Sequence, residues 1–147
     1  MLIARGKKAP DFSLVSSGGD TVRLADFAGK KHVVLIFYPG DDTPGCTKQL
    51  CAVRDDFAKF EAKNAAVFGV NPAGADSHVK FVRKFGFPFP LLIDEGRKAA
   101  KLYGCDNIPS VKRTVYVIDP EGIVVFATQG MPSDEEILEA IPEKKTS

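Results

Sequence analysis

The stretch His32-Val33-Val34-Leu35-Ile36-Phe37-Tyr38-Pro39-Gly40-Asp41-Asp42-Thr43-Pro44-Gly45-Cys46-Thr47-Lys48-Gln49-Leu50-Cys51 decides the fold. After His32 its first part is β-branched and aromatic without polar alternation, and Pro39-Gly40 ends it, so residues 32–38 are expected to form a strand buried on both faces. From Thr43 the period changes. Cys46, Leu50, Val53, Phe57 and Phe60 recur at three- and four-residue spacing, which predicts one amphipathic helix with Cys46 on its apolar face. A buried strand that runs into such a helix begins an α/β unit.

Working outward, the alternation continues. Residues 66–70 and 91–93 read as strands, residues 76–85 as a helix with Val79, Val82 and Phe85 in register, and residues 97–103 as a short helix. Phe87-Pro88-Phe89-Pro90 reads as a loop packed onto the core. Residues 114–118 and 123–128 form a hairpin around Asp119-Pro120-Glu121-Gly122, and residues 133–141 close the chain as a helix with Ser133 as its N-cap. Near the start, residues 12–15 and 21–24 flank Ser16-Ser17-Gly18-Gly19-Asp20 and predict a second hairpin. The expected class is α/β with an N-terminal β-hairpin.

Size and composition bound the rest. A chain of 147 residues with 44% hydrophobic side chains, 11 of them Phe, can build a normal core as a single domain over residues 1–147, with residues 142–147 as a flexible tail. The formal net charge of +1 argues against a nucleic-acid or anionic-membrane partner. The first ten residues hold Arg5, Lys7 and Lys8 but no apolar leader core, and the longest apolar run, residues 33–38, is too short to span a bilayer. A reducing cytoplasmic setting is therefore expected. Three Cys do not make a disulfide scaffold, and in that setting Cys pairs at short spacing read as catalytic or metal-binding.

Thr43 is a favoured N-cap residue and Pro44 suits the first helical position, which places Cys46 in the first turn. There the unpaired backbone N–H groups and the positive end of the macrodipole favour thiolate over thiol, so Cys46 is the candidate nucleophile. Ionisation alone explains little. Free Cys is about 3% thiolate at pH 7, so complete ionisation raises the reactive fraction roughly 30-fold, or about 2 kcal/mol. The remainder must come from donors aimed at charge that develops in the transition state. Thr43 can offer its hydroxyl and the first turn its N–H groups. Arg113 would complete the set if the strand it precedes runs antiparallel to residues 32–38; otherwise it is a surface arginine. Strand alternation lets only one of Lys112 and Arg113 face that site, and the fork of Arg suits oxygen recognition better.

Cys51 follows Cys46 by five residues, which in an intact helix is about 140° round and roughly 8 to 9 Å between Cα atoms. That exceeds disulfide reach, so any pairing of the two requires the first turns to unwind. On spacing alone Cys51 reads as a small apolar filler rather than as a partner of Cys46. Zinc is disfavoured, because C-x4-C is not the usual close spacing and His32 and His78 form no second ligand pair. Cys105 lies outside any motif and reads as a structural thiol, with pairing to Cys46 as a lesser alternative. His32 and His78 read as surface or edge residues.

The chain resembles the peroxiredoxins, most closely their Q-type, or bacterioferritin-comigratory, subgroup. The residues that carry the resemblance are Ala9-Pro10-Asp11-Phe12, the strand at 34–38, the pattern Pro39-x-x-x-Thr43-x-x-Cys46 continued through Gln49, Cys51 and Arg54-Asp55, residues 71–94, and Arg113-Thr114-Val115-Tyr116-Val117-Ile118-Asp119. The resemblance implies a thioredoxin-like fold with a mixed central sheet flanked by helices. It implies thiol-dependent reduction of hydrogen peroxide and organic hydroperoxides without metal, haem or flavin cofactor. It makes Cys46 the peroxidatic Cys, Cys51 the resolving Cys that closes an intramolecular disulfide, Thr43 and Arg113 the groups that polarise the peroxide, and Pro39 a shield over the thiol. Thioredoxin or another dithiol would be the reducing partner. The chain lacks the C-terminal extension with a resolving Cys of typical two-cysteine members, so a monomer is expected. The loop at 104–112 looks shorter than in many subgroup members. The alternative is a redox-sensing interaction module without turnover; a general thiol-disulfide oxidoreductase would prefer a C-x-x-C pair, which is absent.

Overall fold

The computed structural model describes residues 2–108 and 110–142, so residues 143–147 of the expected flexible tail lie outside the described residues. The chain opens with β1 (Ser13–Ser16) and β2 (Thr21–Arg23), the expected hairpin, followed by a 3-10 turn at Leu24–Phe27. β3 (His32–Phe37) is buried from Val33 onward, as its uninterrupted apolar run requires. It leads into α1 (Pro44–Asp55) and α2 (Phe57–Ala62). The single helix expected from Thr43 to Phe60 is thus two. Asp56 (φ −99°, ψ 9°) ends the first and begins the second, a small turn that keeps Phe60 in the same core as Cys46, Leu50 and Val53.

β4 (Ala65–Asn71), α3 (Ala75–Phe85), β5 (Leu91–Ile93) and α4 (Lys98–Leu102) come next. A two-residue hairpin absent from the sequence reading, β6 (Asp106–Asn107) with β7 (Ser110–Val111), precedes β8 (Thr114–Ile118), β9 (Val124–Gln129) and α5 (Asp134–Glu139). Ser133 caps α5 as expected, accepting from Glu136 N in a capping box.

Seven strands form one mixed sheet in the order β2-β1-β5-β4-β3-β8-β9. β3 lies parallel to β4 and antiparallel to β8, and the sheet has a core on each face. Val34, Ile36 and Tyr38 pack with Cys46, Leu50 and Phe60 and with Phe81 and Ile137 of α3 and α5. Val33, Leu35 and Phe37 pack with Phe12, Ala99, Tyr103 and Cys105 on the other face. Phe87 and Phe89 are buried and stack at 5.3 Å between centroids, in line with the expected core-packed loop. Gly69 is needed in β4, because a Cβ there would stand 2.6 Å from Leu91 and 3.1 Å from the Tyr38 ring.

The fold corrects one residue directly. His78, expected at the surface, has no exposed area. The buried residues of α3 are His78 and Phe81, so the buried stripe begins one position before the Val79, Val82 and Phe85 register. The ring is accommodated because both of its nitrogens find partners.

Candidate active site

The register of β3 on β8 pairs Phe37 with Thr114, so the residue just before Thr114 stands beside the end of β3, where α1 begins. Arg113 Nη2 donates to Cys46 Sγ at 3.3 Å, and Nη1 donates to Gln49 Oε1 at 2.7 Å. Lys112 is exposed, as alternation along the strand requires. The antiparallel pairing that decides the placement of Arg113 is therefore present, and the fork spans a thiol and an amide at once.

Cys46 sits at the third position of α1, after Pro44 and Gly45. The N–H groups of the first turn have no partner within the helix, and they converge on the same end as the guanidinium. Gly45 leaves room for that cation: a Cβ there would lie 3.0 Å from Arg113 Nη2. Cys46 has no exposed surface, whereas Pro39 and Thr43 in the preceding loop are exposed.

Thr43 holds the N-cap position, but its side chain makes no cap hydrogen bond. This corrects the expected capping role. Oγ1 instead donates to Gly40 O at 2.9 Å, while the Thr43 carbonyl accepts from Thr47 N. With its hydrogen committed to Gly40, the hydroxyl oxygen is left to accept a hydrogen bond from a ligand O–H.

Pro39 is held from the other side, where Ser110 of β7 donates to its carbonyl at 2.7 Å. Gln49 is the site residue that the sequence reading missed. It lies three residues after Cys46, one helical turn away on the same face, and that spacing was the available signal.

All three thiols are free. Cys51 is half-buried on the same unbroken α1 as Cys46, so their helical spacing keeps them beyond disulfide reach in this state. Cys105 is buried in the core on the opposite face of the sheet from Cys46. Burial and the nearby Asp94 push its thiol up to about 12, against the smaller pull of the Thr114 hydroxyl. At neutral pH it is a poor nucleophile, and its surroundings are those of a structural thiol.

Comparison with known proteins places this arrangement. Residues 5–127 match the AhpC/TSA family. The chain is 43% identical over 129 residues to a chloroplastic peroxiredoxin Q of Triticum aestivum, covering 84% of this chain and 58% of that protein. It is 35% identical over 149 residues to peroxiredoxin Bcp of Bacillus subtilis, covering 96% of this chain and 94% of that one. Among solved structures it is similar to peroxidoxin BcpB of Mycobacterium tuberculosis, with a TM-score of 0.87, 30% identity and coverage of 93% and 95% of the two chains. The mixed sheet flanked by helices is thus the thioredoxin-like arrangement expected from the sequence.

Proposed function

The chain belongs to the AhpC/TSA family, and from that premise we propose that it is a thiol-dependent peroxidase for hydrogen peroxide and organic hydroperoxides, recycled by thioredoxin or a similar dithiol. The observation that carries the reading is Arg113 Nη2 at 3.3 Å from Cys46 Sγ at the start of α1. The first-turn N–H groups and the guanidinium supply positive potential where an O–O bond would be broken. Thr43 Oγ1 accepts the hydrogen of the attacking-side peroxide O–H.

In the first step the Cys46 thiolate attacks the hydroxyl oxygen of R–O–O–H and the O–O bond breaks, so that oxygen and its hydrogen pass to sulfur while RO⁻ leaves and takes a proton from solvent. Sulfur is oxidised to Cys46–SOH and the leaving oxygen becomes alcohol or water. In the second step the Cys51 sulfur attacks the sulfenic sulfur, and the displaced hydroxyl departs as water with the Cys51 proton. The external dithiol then reduces the Cys46–Cys51 disulfide by exchange and becomes oxidised itself. These steps use two thiols and a hydroperoxide and call for no metal, haem or flavin.

Both reacting thiols belong to one helix of a single domain, which supports a monomer as the working unit. Among the described residues no helix is long and apolar enough to cross a membrane, and the net charge of +1 offers no field for nucleic acid. A reducing cytoplasmic setting, which keeps the thiols available between cycles, completes the reading, although the wheat relative is named as chloroplastic.

The test is turnover. With thioredoxin and its reductase, the protein is expected to consume many equivalents of hydrogen peroxide per chain. Consumption that stops at one equivalent while reductant remains would replace the enzyme by a redox-sensing module. In the same assay Thr43→Val should slow the peroxide step about tenfold with little change in thermal stability, since the hydroxyl is not a helix cap. An unchanged rate would make Thr43 a turn residue only.

A further inference from the structure

A polar cluster centred on the buried His78, which the reaction above does not use, ties the loop before Cys46 to α3. Asp41 Oδ1 accepts from the Tyr38 hydroxyl at 2.6 Å. Asp41 Oδ2 accepts from the Ser77 hydroxyl at 2.6 Å and lies 2.6 Å from His78 Nδ1. On the far side of the ring, Nε2 stands 3.1 Å from both Asn71 O and Leu92 O. Carbonyl oxygens only accept, so Nε2 carries a hydrogen, and the Nδ1–carboxylate contact holds a further proton between its two groups.

The pair is shielded from water: the His78 side chain is 0% exposed and that of Asp41 6%. Burial pushes the Asp41 carboxyl up, but hydrogen bonds from His78, Ser77 and Tyr38 outweigh it and hold the group below the usual carboxylate range. Asn71 Nδ2 adds a bond to Tyr38 O at 2.8 Å, which fixes the end of β3. The neighbouring Asp42–Lys84 pair, 2.8 Å apart, is about half exposed on both sides and adds little.

We propose that the Asp41–His78 pair is the anchor of the loop before Cys46 and that it restrains the unwinding of α1 by which Cys46 reaches Cys51. The proposal rests on the two-thiol peroxidase reading above. While α1 is wound, residues 38–41 are held at both ends, by β3 and by the helix, whether or not the anchor is present. When the first turns open, an intact anchor still holds residues 38–41, so only the segment from Asp42 onward gains freedom. Removing the anchor adds Gly40 and Asp41 to the free segment, since Ser110 and Asn71 still hold the carbonyls of Pro39 and Tyr38, and this favours the open form selectively. Conformational freedom of even one or two residues is enough for about a tenfold shift in that balance.

The open form leads to the disulfide, with water as the other product. The wound form keeps Cys46–SOH facing a second hydroperoxide, which would oxidise it to Cys46–SO2H and release alcohol or water. The anchor therefore sets the partition between the two. Asp41, Ser77 and His78 are positioning residues that act through the loop.

The experiment is rapid-quench mass spectrometry of the reduced wild type, His78→Asn and Ser77→Ala after mixing with graded hydrogen peroxide. Loss of free Cys46 thiol is expected to proceed within about twofold of wild type in both variants. Disulfide formation should be about tenfold faster in His78→Asn and two- to threefold faster in Ser77→Ala. The peroxide concentration that converts half of Cys46 to sulfinic acid should rise by the same factors. A merely structural role would lower thermal stability and leave the ratio of sulfinic acid to disulfide where it is in wild type. An unchanged ratio in both variants overturns the anchor. Ser77 is exposed, so its variant carries the test if the buried substitution fails to fold. Absence of a Cys46–Cys51 disulfide in the wild type itself would overturn the two-thiol reading, and the anchor with it.

Discussion

Replacing Cys46 by serine is expected to abolish peroxide consumption, with a loss on the order of 10^4-fold or more in the peroxide step. The hydroxyl would keep the place of the sulfur at the start of α1, beside Arg113, so the surroundings would survive while the nucleophile is lost. Neither remaining thiol can substitute. Cys51 lies farther along α1, away from the first-turn N–H groups, and Cys105 is buried on the other face of the sheet. Burial pushes its thiol up to about 12, so Cys105 stays protonated at pH 7. Peroxide decay followed directly, without a coupled reductant, gives the cleanest comparison. Peroxide consumption by Cys46→Ser at a rate close to that of the wild type would remove the assigned nucleophile.

Arg113→Ala is the second large effect expected, a fall of about 10^2- to 10^3-fold in the same step, comparable to the loss of one preorganised donor in other sites. Here one side chain donates to both Cys46 Sγ and Gln49 Oε1, so its removal takes away the cation and the group that holds Gln49 in place. Gln49 is buried, and its orphaned carbonyl should cost about 1–3 kcal/mol of stability. Arg113→Lys separates the two contributions: it keeps a charge but lacks the fork, so it should recover only part of the rate. A peroxide rate unchanged in Arg113→Ala, measured on protein shown to be folded by its thermal transition, would place Arg113 outside the chemistry.

Much of this site was legible because it depends on local rules. The break at Pro39-Gly40, the Thr43-Pro44 helix start and the position of Cys46 follow from propensity over fifteen residues. The placement of Arg113 needed one non-local fact, the antiparallel pairing of β3 with β8, and strand alternation then chose it over Lys112.

What stayed hidden depends on partners distant in sequence. His78 reads as polar in any hydrophobicity pattern, and only Asp41, 37 residues earlier, together with the carbonyls of Asn71 and Leu92, makes its burial favourable. The Thr43 hydroxyl had two possible local partners, a helix N–H or the Gly40 carbonyl, and loop geometry chose the second. The split at Asp56 escaped a periodicity that the turn happens to preserve, because Phe57 and Phe60 still face the core. The β6–β7 hairpin, two residues a side, is shorter than any window in which a period can be read.

The proposed unwinding of α1 is what joins the proposed roles of Cys46, Cys51 and the Asp41–His78 anchor, and peptide mapping after oxidation tests it most directly. The reduced protein would be treated with one equivalent of hydrogen peroxide, digested without reduction and searched for linked cysteine peptides by mass spectrometry. A single linkage between Cys46 and Cys51 is the expected product. A Cys46–Cys105 linkage, or no change at any thiol, would contradict it: the first would carry Cys46 from one face of the sheet to the other, and the second would leave all three cysteines structural.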